Sequence, residues 1–281
     1  AVREALLRAF DLAGNASSVH AEGRAARAAV EAARRALAAA IGGETGRVVF
    51  TSGATEANAM ALRVGGRVLA AAVEHPSVLA QPGVEPLPVD RAGRLDLEAL
   101  ATALAAGGVA CVALMLANNE TGVLQPVTEA ADLAKRAGVR LHVDAVQALG
   151  RLPLDVGALG ADSVALSAHK LGGPKGVGLL WLRDPDLLQP LLRGGGQEQR
   201  LRAGTENVTG IMGFAEAARA IEPSEAVRLA ALQRALEDGV LAMVPDAVVI
   251  AAAAPRLPHI TALALPAVAA ATQVMALDLA G

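Results

Sequence analysis

Short apolar runs rich in β-branched residues alternate along this chain with longer segments in which apolar positions recur every three or four residues. The short runs predict β-strands, and they lie at 47–50, 67–73, 109–117, 139–143 and 163–166. The longer segments predict amphipathic helices, the clearest of them at 21–41, 95–105 and 127–137. This alternation predicts an α/β protein with a mostly parallel, mixed sheet sandwiched by helices.

The pattern changes close to residue 222. A charged helix is predicted at 225–236, and short apolar strands follow it, interrupted by Pro245, Pro255, Pro258 and Pro266. We therefore predict a large domain at 1–222 and part of a second, smaller α+β domain at 223–281. The strands after Val248 are expected to lack partners.

Composition narrows the classes of function. The chain has 28 acidic and 25 basic residues, a net charge of -3, and no long run of either sign, which disfavours nucleic acid and anionic membranes as partners. The uncharged stretch 100–117 approaches the length of a membrane span, but Gly107 and Gly108 interrupt it, so we interpret it as a helix end and a buried strand. The single cysteine, Cys111, excludes an intrachain disulfide or a cysteine-based metal site and fits a reducing cytoplasm. We expect a small neutral or zwitterionic substrate and no metal.

Lysine is scarce in this chain, which has only Lys135, Lys170 and Lys175. Lys170 lies just after the last of the predicted strands, in the glycine-rich segment 167–176. A partly desolvated amine at that place suits Schiff-base chemistry, because only the neutral amine attacks an aldehyde. For this segment alone, a surface lysine before a glycine turn is an equal alternative.

Polar residues also follow other predicted strands. The backbone amides of Gly53, Ala54 and Thr55, with the Thr55 hydroxyl, predict an anion site at the start of a helix, although a plain N-cap explains the same residues. Asp144 ends a strand and needs a partner, because an unpaired buried carboxylate is costly. A protonated pyridine nitrogen is one such partner, and the start of the next helix is the alternative.

Three further residues complete this set. Gln147 could donate to the phenolic oxygen of a pyridine ring. The imidazole of His75 could stack on such a ring and exchange protons, or it could be a surface histidine before a proline turn. Asn119 could bind the cofactor or a substrate carboxylate, or only form a turn. Since ligands of open α/β sheets bind at the carboxyl ends of strands, the set as a whole indicates pyridoxal phosphate (PLP).

Six segments together resemble the cysteine desulfurase family of the class V aminotransferase group. They are Thr-Ser-Gly-Ala-Thr-Glu at 51–56, Glu-His at 74–75, Asn-Asn-Glu-Thr-Gly at 118–122, His-Val-Asp-Ala-Val-Gln at 142–147, Ser-Ala-His-Lys at 167–170 and Arg-Ala-Gly-Thr-Glu-Asn at 202–207. The resemblance covers nearly the whole chain. It implies a PLP-dependent transferase of fold type I.

The resemblance also implies a role for each candidate residue. Lys170 would hold the cofactor as a Schiff base and move the Cα proton of the substrate. The other contacts would be His75 on the ring face, Asp144 at the ring nitrogen, Gln147 at the phenolic oxygen, Asn119 at both the cofactor and the substrate, and Ala54, Thr55, Ser167 and His169 at the phosphate. Thr205, in the loop 194–207, would reach the phosphate of a neighbouring subunit, which implies a homodimer with shared sites.

The implied reaction converts L-cysteine to L-alanine and passes the sulfur, as a persulfide, to an enzyme cysteine and then to an acceptor such as an iron–sulfur scaffold protein. The family's catalytic cysteine lies beyond the equivalent of residue 281, and Cys111 lies in a predicted buried strand, where a thiol is inert. We therefore expect part of a longer enzyme that lacks both termini and is incomplete for sulfur transfer. The alternatives are a selenocysteine lyase, a small-amino-acid aminotransferase of the same fold, and a non-catalytic PLP-fold scaffold for sulfur-acceptor proteins.

Overall fold

The computed structural model describes all 281 residues as nine α-helices, nine strands and the turns between them. The helices are α1 (Val2–Phe10), α2 (Ala21–Ala40), α3 (Ala54–Ala61), α4 (Pro76–Leu79), α5 (Leu97–Ala105), α6 (Val127–Ala137), α7 (Val208–Arg219), α8 (Pro223–Met243) and α9 (Ala270–Ala280). The strands are β1 (Val48–Thr51), β2 (Arg67–Ala71), β3 (Val84–Leu87), β4 (Val109–Met115), β5 (Arg140–Asp144), β6 (Ser163–Ser167), β7 (Gly178–Leu182), β8 (Val248–Val249) and β9 (Leu263–Ala264).

Seven strands form one sheet in the order β1-β7-β6-β5-β4-β2-β3. Strand β7 runs antiparallel to both of its neighbours, and every other pair in the sheet is parallel. The prediction of a mostly parallel, mixed sheet is therefore confirmed. Because only β7 is reversed, the carboxyl ends of β1, β2, β4, β5 and β6 all lie at the same edge of the sheet.

Helices cover both faces of this sheet. The side chains of β7 show the two layers: Leu179 and Trp181 pack into a large core beneath α2, α5, α6 and α7, whereas Leu180 and Leu182 pack into a smaller one beneath α3. Burial on both faces explains why the strand sequences are continuously apolar rather than alternating. Each fully buried leucine contributes about 2 kcal/mol of apolar burial.

The five predicted strands and the three clearest predicted helices are all present, with ends that shift by a few residues. Two strands were missed. Strand β3 is a half-exposed edge strand that contains Pro86, and prolines are tolerated in strands mainly at such edges. Strand β7 follows a glycine-rich turn and runs against the direction of its neighbours.

The residues after 222 form a long helix, α8, then a two-stranded sheet and α9. The expectation that strands here lack partners is wrong, because β8 pairs with β9 in antiparallel fashion. This part contacts the segment after β4: Leu257 is fully buried, and its amide donates to the carbonyl of Gly122 at 2.8 Å. None of the helices combines the length and apolar character needed to cross a bilayer.

Candidate active site

A cavity of about 410 Å³ opens at the carboxyl-terminal edge of the seven-stranded sheet. Its walls come from the residues that end or follow β1, β2, β4, β5 and β6. The lining residues are Ser52, Gly53, Ala54, Thr55, His75, Ser77, Met115, Ala117, Asn119, Asp144, Val146, Gln147, Ser167, His169 and Lys170. Five segments that are distant in sequence thus meet at one place, as expected for ligand sites in open α/β sheets.

Nine of the ten candidate residues line this cavity. They are Ala54, Thr55, His75, Asn119, Asp144, Gln147, Ser167, His169 and Lys170. The tenth, Thr205, lies outside it, in a separate pocket that also contains Arg202, Gly204 and Asn207. The sequence therefore predicted the wall of the cavity well, while the role of each residue stays a prediction.

Asp144 is the last residue of β5 and is only 8% exposed. Its Oδ2 accepts a hydrogen bond of 2.8 Å from the side-chain amide of Asn58, and its Oδ1 accepts one of 3.0 Å from the backbone amide of Val146. Burial raises the pKa of this carboxyl, and the two hydrogen bonds act in the opposite direction. The expected hydrogen-bonding partners therefore exist. The Asn58 and Val146 amides hold the carboxyl beside the cavity without bringing a positive charge to it.

Lys170 lies in the 3-10 turn Ala168–Leu171 that directly follows β6. Gly172 ends this turn with a positive φ of 78°, a conformation that glycine adopts without strain. We expected a partly desolvated amine, but the side chain is exposed, because the cavity beside it is open to solvent. The amine is therefore free to react with a ligand that enters the cavity.

The turn after β1 leads into α3 without a side-chain cap, since the N-cap residue is Gly53. The alternative of a serine or threonine N-cap is therefore wrong, and the first amides of α3 are left for another acceptor. A Cβ on Gly53 would meet no atom within 4 Å, so nothing of the protein fills the space in front of this helix end. Across the cavity, the Ser167 hydroxyl lies 2.8 Å from Nδ1 of His169, and burial together with the charges of Lys170 and Lys175 lowers the pKa of that imidazole.

His75 is the N-cap of the short helix α4. Its Nδ1 accepts a hydrogen bond of 3.1 Å from the backbone amide of Ser77 and lies 2.8 Å from the Ser77 hydroxyl. Asn119 lies in the turn after β4, which the neighbouring Asn118 side chain stabilises by accepting from the amides of Glu120 and Thr121 at 2.9 Å. The His75 side chain is therefore held by the turn that it caps, whereas the turn of Asn119 is held by the neighbouring Asn118.

Four polar residues around this cavity were not assigned from the sequence: Asn58, Ser77, Glu74 and His142. All are buried, at 8% exposure or less. Asn58 could have been found, because it lies one helical turn after Ala54 and Thr55, on the same face of α3 as the cavity. The signal for His142 was weaker, since a buried histidine in an apolar strand carries no motif of its own.

Cys111 is buried in β4, as predicted. Burial raises the pKa of its thiol to about 12. It lies four residues before Met115, which is part of the cavity wall. Four residues of strand correspond to about 13 Å. Its thiol is therefore neither ionised nor near Lys170.

Comparison with known proteins agrees with this geometry. The family described as aminotransferase class V matches residues 2–281. A cysteine desulfurase of Cereibacter sphaeroides is 46% identical over 287 residues, covering 95% of this chain and 73% of the relative. The NifS-like protein of Rickettsia africae superposes with a TM-score of 0.92 at 32% identity, covering 99% of this chain and 81% of that one. A structure of SspA in complex with cysteine superposes with a TM-score of 0.85 at 26% identity, covering 100% of this chain and 83% of that one. The chain therefore belongs to the class V aminotransferase family, in its group of PLP-dependent cysteine desulfurases.

Proposed function

We propose that the cavity binds PLP on Lys170 and uses it to remove the sulfur of L-cysteine, leaving L-alanine. The observation that carries this proposal is that a primary amine, Lys170, and a buried carboxylate, Asp144, border one cavity of about 410 Å³. A cofactor with an aldehyde at one position and a basic ring nitrogen at another would engage both groups.

The groups around the cavity fit the chemistry of this cofactor. The uncapped N-terminus of α3 and the empty space before Gly53 would accept a phosphate, since helix N-termini bind anions. Thr55, Ser167 and His169 would add side-chain donors to the same group. The buried Asp144 carboxylate would gain a cationic partner in a protonated ring nitrogen, which offsets the cost of its burial.

When bound, PLP supplies an aldehyde that joins to amines and a ring that withdraws electrons from the Cα of an amino acid. Asp144, whose carboxyl is held in a desolvated place by Asn58 and the Val146 amide, would keep the ring nitrogen protonated. Gln147 would donate to the phenolic oxygen. His75 would lie against the ring, and Asn119 would contact the cofactor and the substrate.

Proton movement would fall to Lys170 and His75. Lys170, in the 3-10 turn after β6, would hold the cofactor through its amine and, as a free amine, would take the Cα proton of L-cysteine. The exposed position of Lys170 gives the amine room to move between these two tasks. The solved complex of SspA with cysteine supports L-cysteine as the substrate.

Sulfur must leave the substrate by attack of a thiolate. Cys111 cannot supply that thiolate, because its thiol is buried and stays protonated below a pH of about 12. Residues 1–281 contain no second cysteine. We therefore propose that this chain provides the binding and the Cα chemistry, and that the persulfide forms on a thiol outside these residues before an acceptor, such as an iron–sulfur scaffold protein, receives the sulfur.

We also propose a homodimer, a division into two domains and a location in the cytoplasm. Thr205 lies outside the Lys170 cavity of its own chain, which fits a contact with the cofactor phosphate of a partner in a homodimer. The division into domains at 1–222 and 223–281 fits the small separate sheet formed by β8 and β9. The balanced charge and single buried cysteine fit the cytoplasm.

Covalent trapping tests the proposal at residue level. The protein is incubated with PLP, treated with borohydride to make the bond between cofactor and lysine permanent, digested, and mapped by mass spectrometry. We expect the cofactor mass on Lys170, with Lys135 and Lys175 as internal controls that stay unmodified. Equal labelling of the three lysines, or no label on Lys170, would contradict the proposal.

A further inference from the structure

Asn58 uses every polar atom of its side chain inside the protein. It is completely buried on α3. Its Nδ2 lies 2.8 Å from Oδ2 of Asp144 and 2.9 Å from Oγ of Ser77, and its Oδ1 lies 2.9 Å from Nε2 of His142. One side chain on α3 thus contacts two other elements, β5 and α4, which contribute to the cavity or support it.

The neighbouring groups settle the direction of each of these bonds. His142 is completely buried in β5, and burial lowers the pKa of its imidazole to about 4, so the ring is neutral and carries one proton. With Nδ2 of Asn58 donating to the Asp144 carboxylate, Oδ1 can only accept, and Nε2 of His142 must be the donor. Nδ1 of His142 then accepts from the Ser163 hydroxyl, which lies 2.8 Å away.

The hydrogen bonds of Asn58 extend through Ser77 to His75. Since Oγ of Ser77 accepts from Asn58, its own proton is free to donate to Nδ1 of His75 at 2.8 Å. The backbone amide of Ser77 donates to that nitrogen as well, at 3.1 Å. Two donors on Nδ1 require a lone pair there, so a neutral His75 ring carries its proton on Nε2.

We propose that Asn58 is a positioning residue for both Asp144 and His75, and that His142 fixes the direction of its amide. The opposite direction of the amide would place its oxygen against the Asp144 carboxylate and would leave the Ser77 hydroxyl free to turn away from His75. In the native direction, one buried amide holds the carboxyl that meets the ring nitrogen and sets which nitrogen of His75 offers a proton. The inference rests on the proposed function as far as Asp144 and His75 face PLP.

Two substitutions of His142 distinguish the loss of the hydrogen-bond donor to Asn58 from the loss of packing at this position. In His142→Gln, the side-chain Nε2 can still donate to Asn58, whereas His142→Leu removes the donor and fills a similar volume. Asn58→Ala removes the amide itself. Gln125→Ala is the matched control: Gln125 is a buried carboxamide that binds only the backbone of Leu95 and Gly93, at 2.9 and 2.7 Å.

The first readout is the dissociation constant for PLP. We expect it to rise about tenfold or more in His142→Leu and Asn58→Ala, the size typical of one hydrogen bond to a charged group. It should stay within about twofold of the native value in His142→Gln and Gln125→Ala. Equal weakening in the Gln and Leu variants of His142 would overturn the proposal, since the loss would then follow packing and not the direction of the amide.

The second readout needs no cofactor. Nitrogen-15 NMR of the PLP-free protein reports which nitrogen of His75 carries the proton. We expect Nε2 in the native protein, and a shift of the Nδ1 resonance in Asn58→Ala but none in Gln125→Ala. A proton on Nδ1 of native His75, or an unchanged Nδ1 resonance in Asn58→Ala, would overturn the proposal.

The two readouts also separate this inference from the proposed function. If the native protein fails to bind PLP, the proposed function is wrong, and the NMR result alone decides the inference. If the variants of Asn58 and His142 do not fold, nitrogen-15 NMR of the native protein decides: His142 should carry its proton on Nε2, towards Oδ1 of Asn58, and a proton on its Nδ1 overturns the proposal.

Discussion

The guanidinium of Arg34 on α2 holds the carboxylate of Glu198 through hydrogen bonds of 2.7 and 2.9 Å, across 164 residues of sequence. The two side chains are 5% and 3% exposed. Glu198 also accepts from the Phe50 amide at 2.8 Å. Glu198, Gln199 and Arg200 all adopt positive φ angles, of 45°, 56° and 68°, which are strained for residues other than glycine. The ion pair therefore holds a strained turn of the loop 194–207 against β1.

We expect removal of one partner to be costly. Glu198→Ala should lower the free energy of unfolding by about 3 kcal/mol, because the buried Arg34 guanidinium would lose its buried partner and keep only the exposed Glu31 carboxylate at 3.2 Å. The control is Glu85→Ala, which breaks the Arg67–Glu85 pair, whose side chains are 40% and 48% exposed, and should cost much less, because solvent screens an exposed ion pair. Urea unfolding of both variants measures the difference, and similar losses in the two would contradict this interpretation of the loop.

His142 should make the protein sensitive to mild acid. Burial lowers the pKa of its imidazole from 6.5 to about 4 in the folded chain, so between these values the unfolded chain binds more protons than the folded one. Stability should therefore fall as the pH falls from 6.5 towards 4, by about 3 kcal/mol at most from this residue. His142→Gln should show a smaller loss over that window. Thermal unfolding at several pH values checks this, and parallel curves for the two proteins would speak against it.

Glu74 should give stability the opposite dependence on pH. It is fully buried, one carboxyl oxygen has no partner, and burial with the nearby Asp144 charge raises its pKa well above 4.5. The folded chain then holds a proton that the unfolded chain has lost, so stability should fall as the pH rises from 4.5 towards the pKa of the folded state. Glu74→Gln removes this titration, and its stability relative to the native protein should increase with pH. An advantage that is constant from pH 5 to pH 8 would contradict the prediction.

Cys111 should be dispensable for chemistry at Lys170. In Cys111→Ala, the response of the PLP-loaded protein to L-cysteine should be unchanged, because this thiol lies about 13 Å along β4 from the cavity. The loss of a small buried side chain should lower stability by about 1 kcal/mol. In the native protein, the thiol should react with a disulfide reagent much more slowly than after unfolding. Fast reaction in the folded state would show that the thiol is accessible.

Most of the cavity wall could be predicted from the sequence, for a simple reason. His75, Asp144 and Lys170 each lie at or just after the end of a strand, and parallel strands bring their ends together at one edge. The position of each of these side chains can therefore be predicted from the neighbouring residues. Thr205 is different, because its place depends on contacts that a single sheet does not determine.

The buried support of the site could not be predicted in the same way. The contacts of Asn58 with His142 and Asp144 join residues 84 and 86 positions apart, and they depend on how α3 packs on β5. The exposure of Lys170 was missed for a related reason: burial follows the shape of the cavity and not the apolar strand that precedes the lysine. Strand β7 is as apolar as the predicted strands and is also buried on both faces, but it follows the glycine-rich turn after Lys170 so closely that the sequence did not separate it from that turn.

We expect Lys170 to hold PLP and to exchange it with L-cysteine. Visible absorption of the PLP-incubated protein, before and after addition of L-cysteine, tests it most directly, with Lys170→Ala as the variant and Lys175→Ala as the matched control. We expect a yellow band that L-cysteine shifts in the native protein and in Lys175→Ala, and that is absent in Lys170→Ala. A band that survives in Lys170→Ala, or no band in the native protein, would contradict the account.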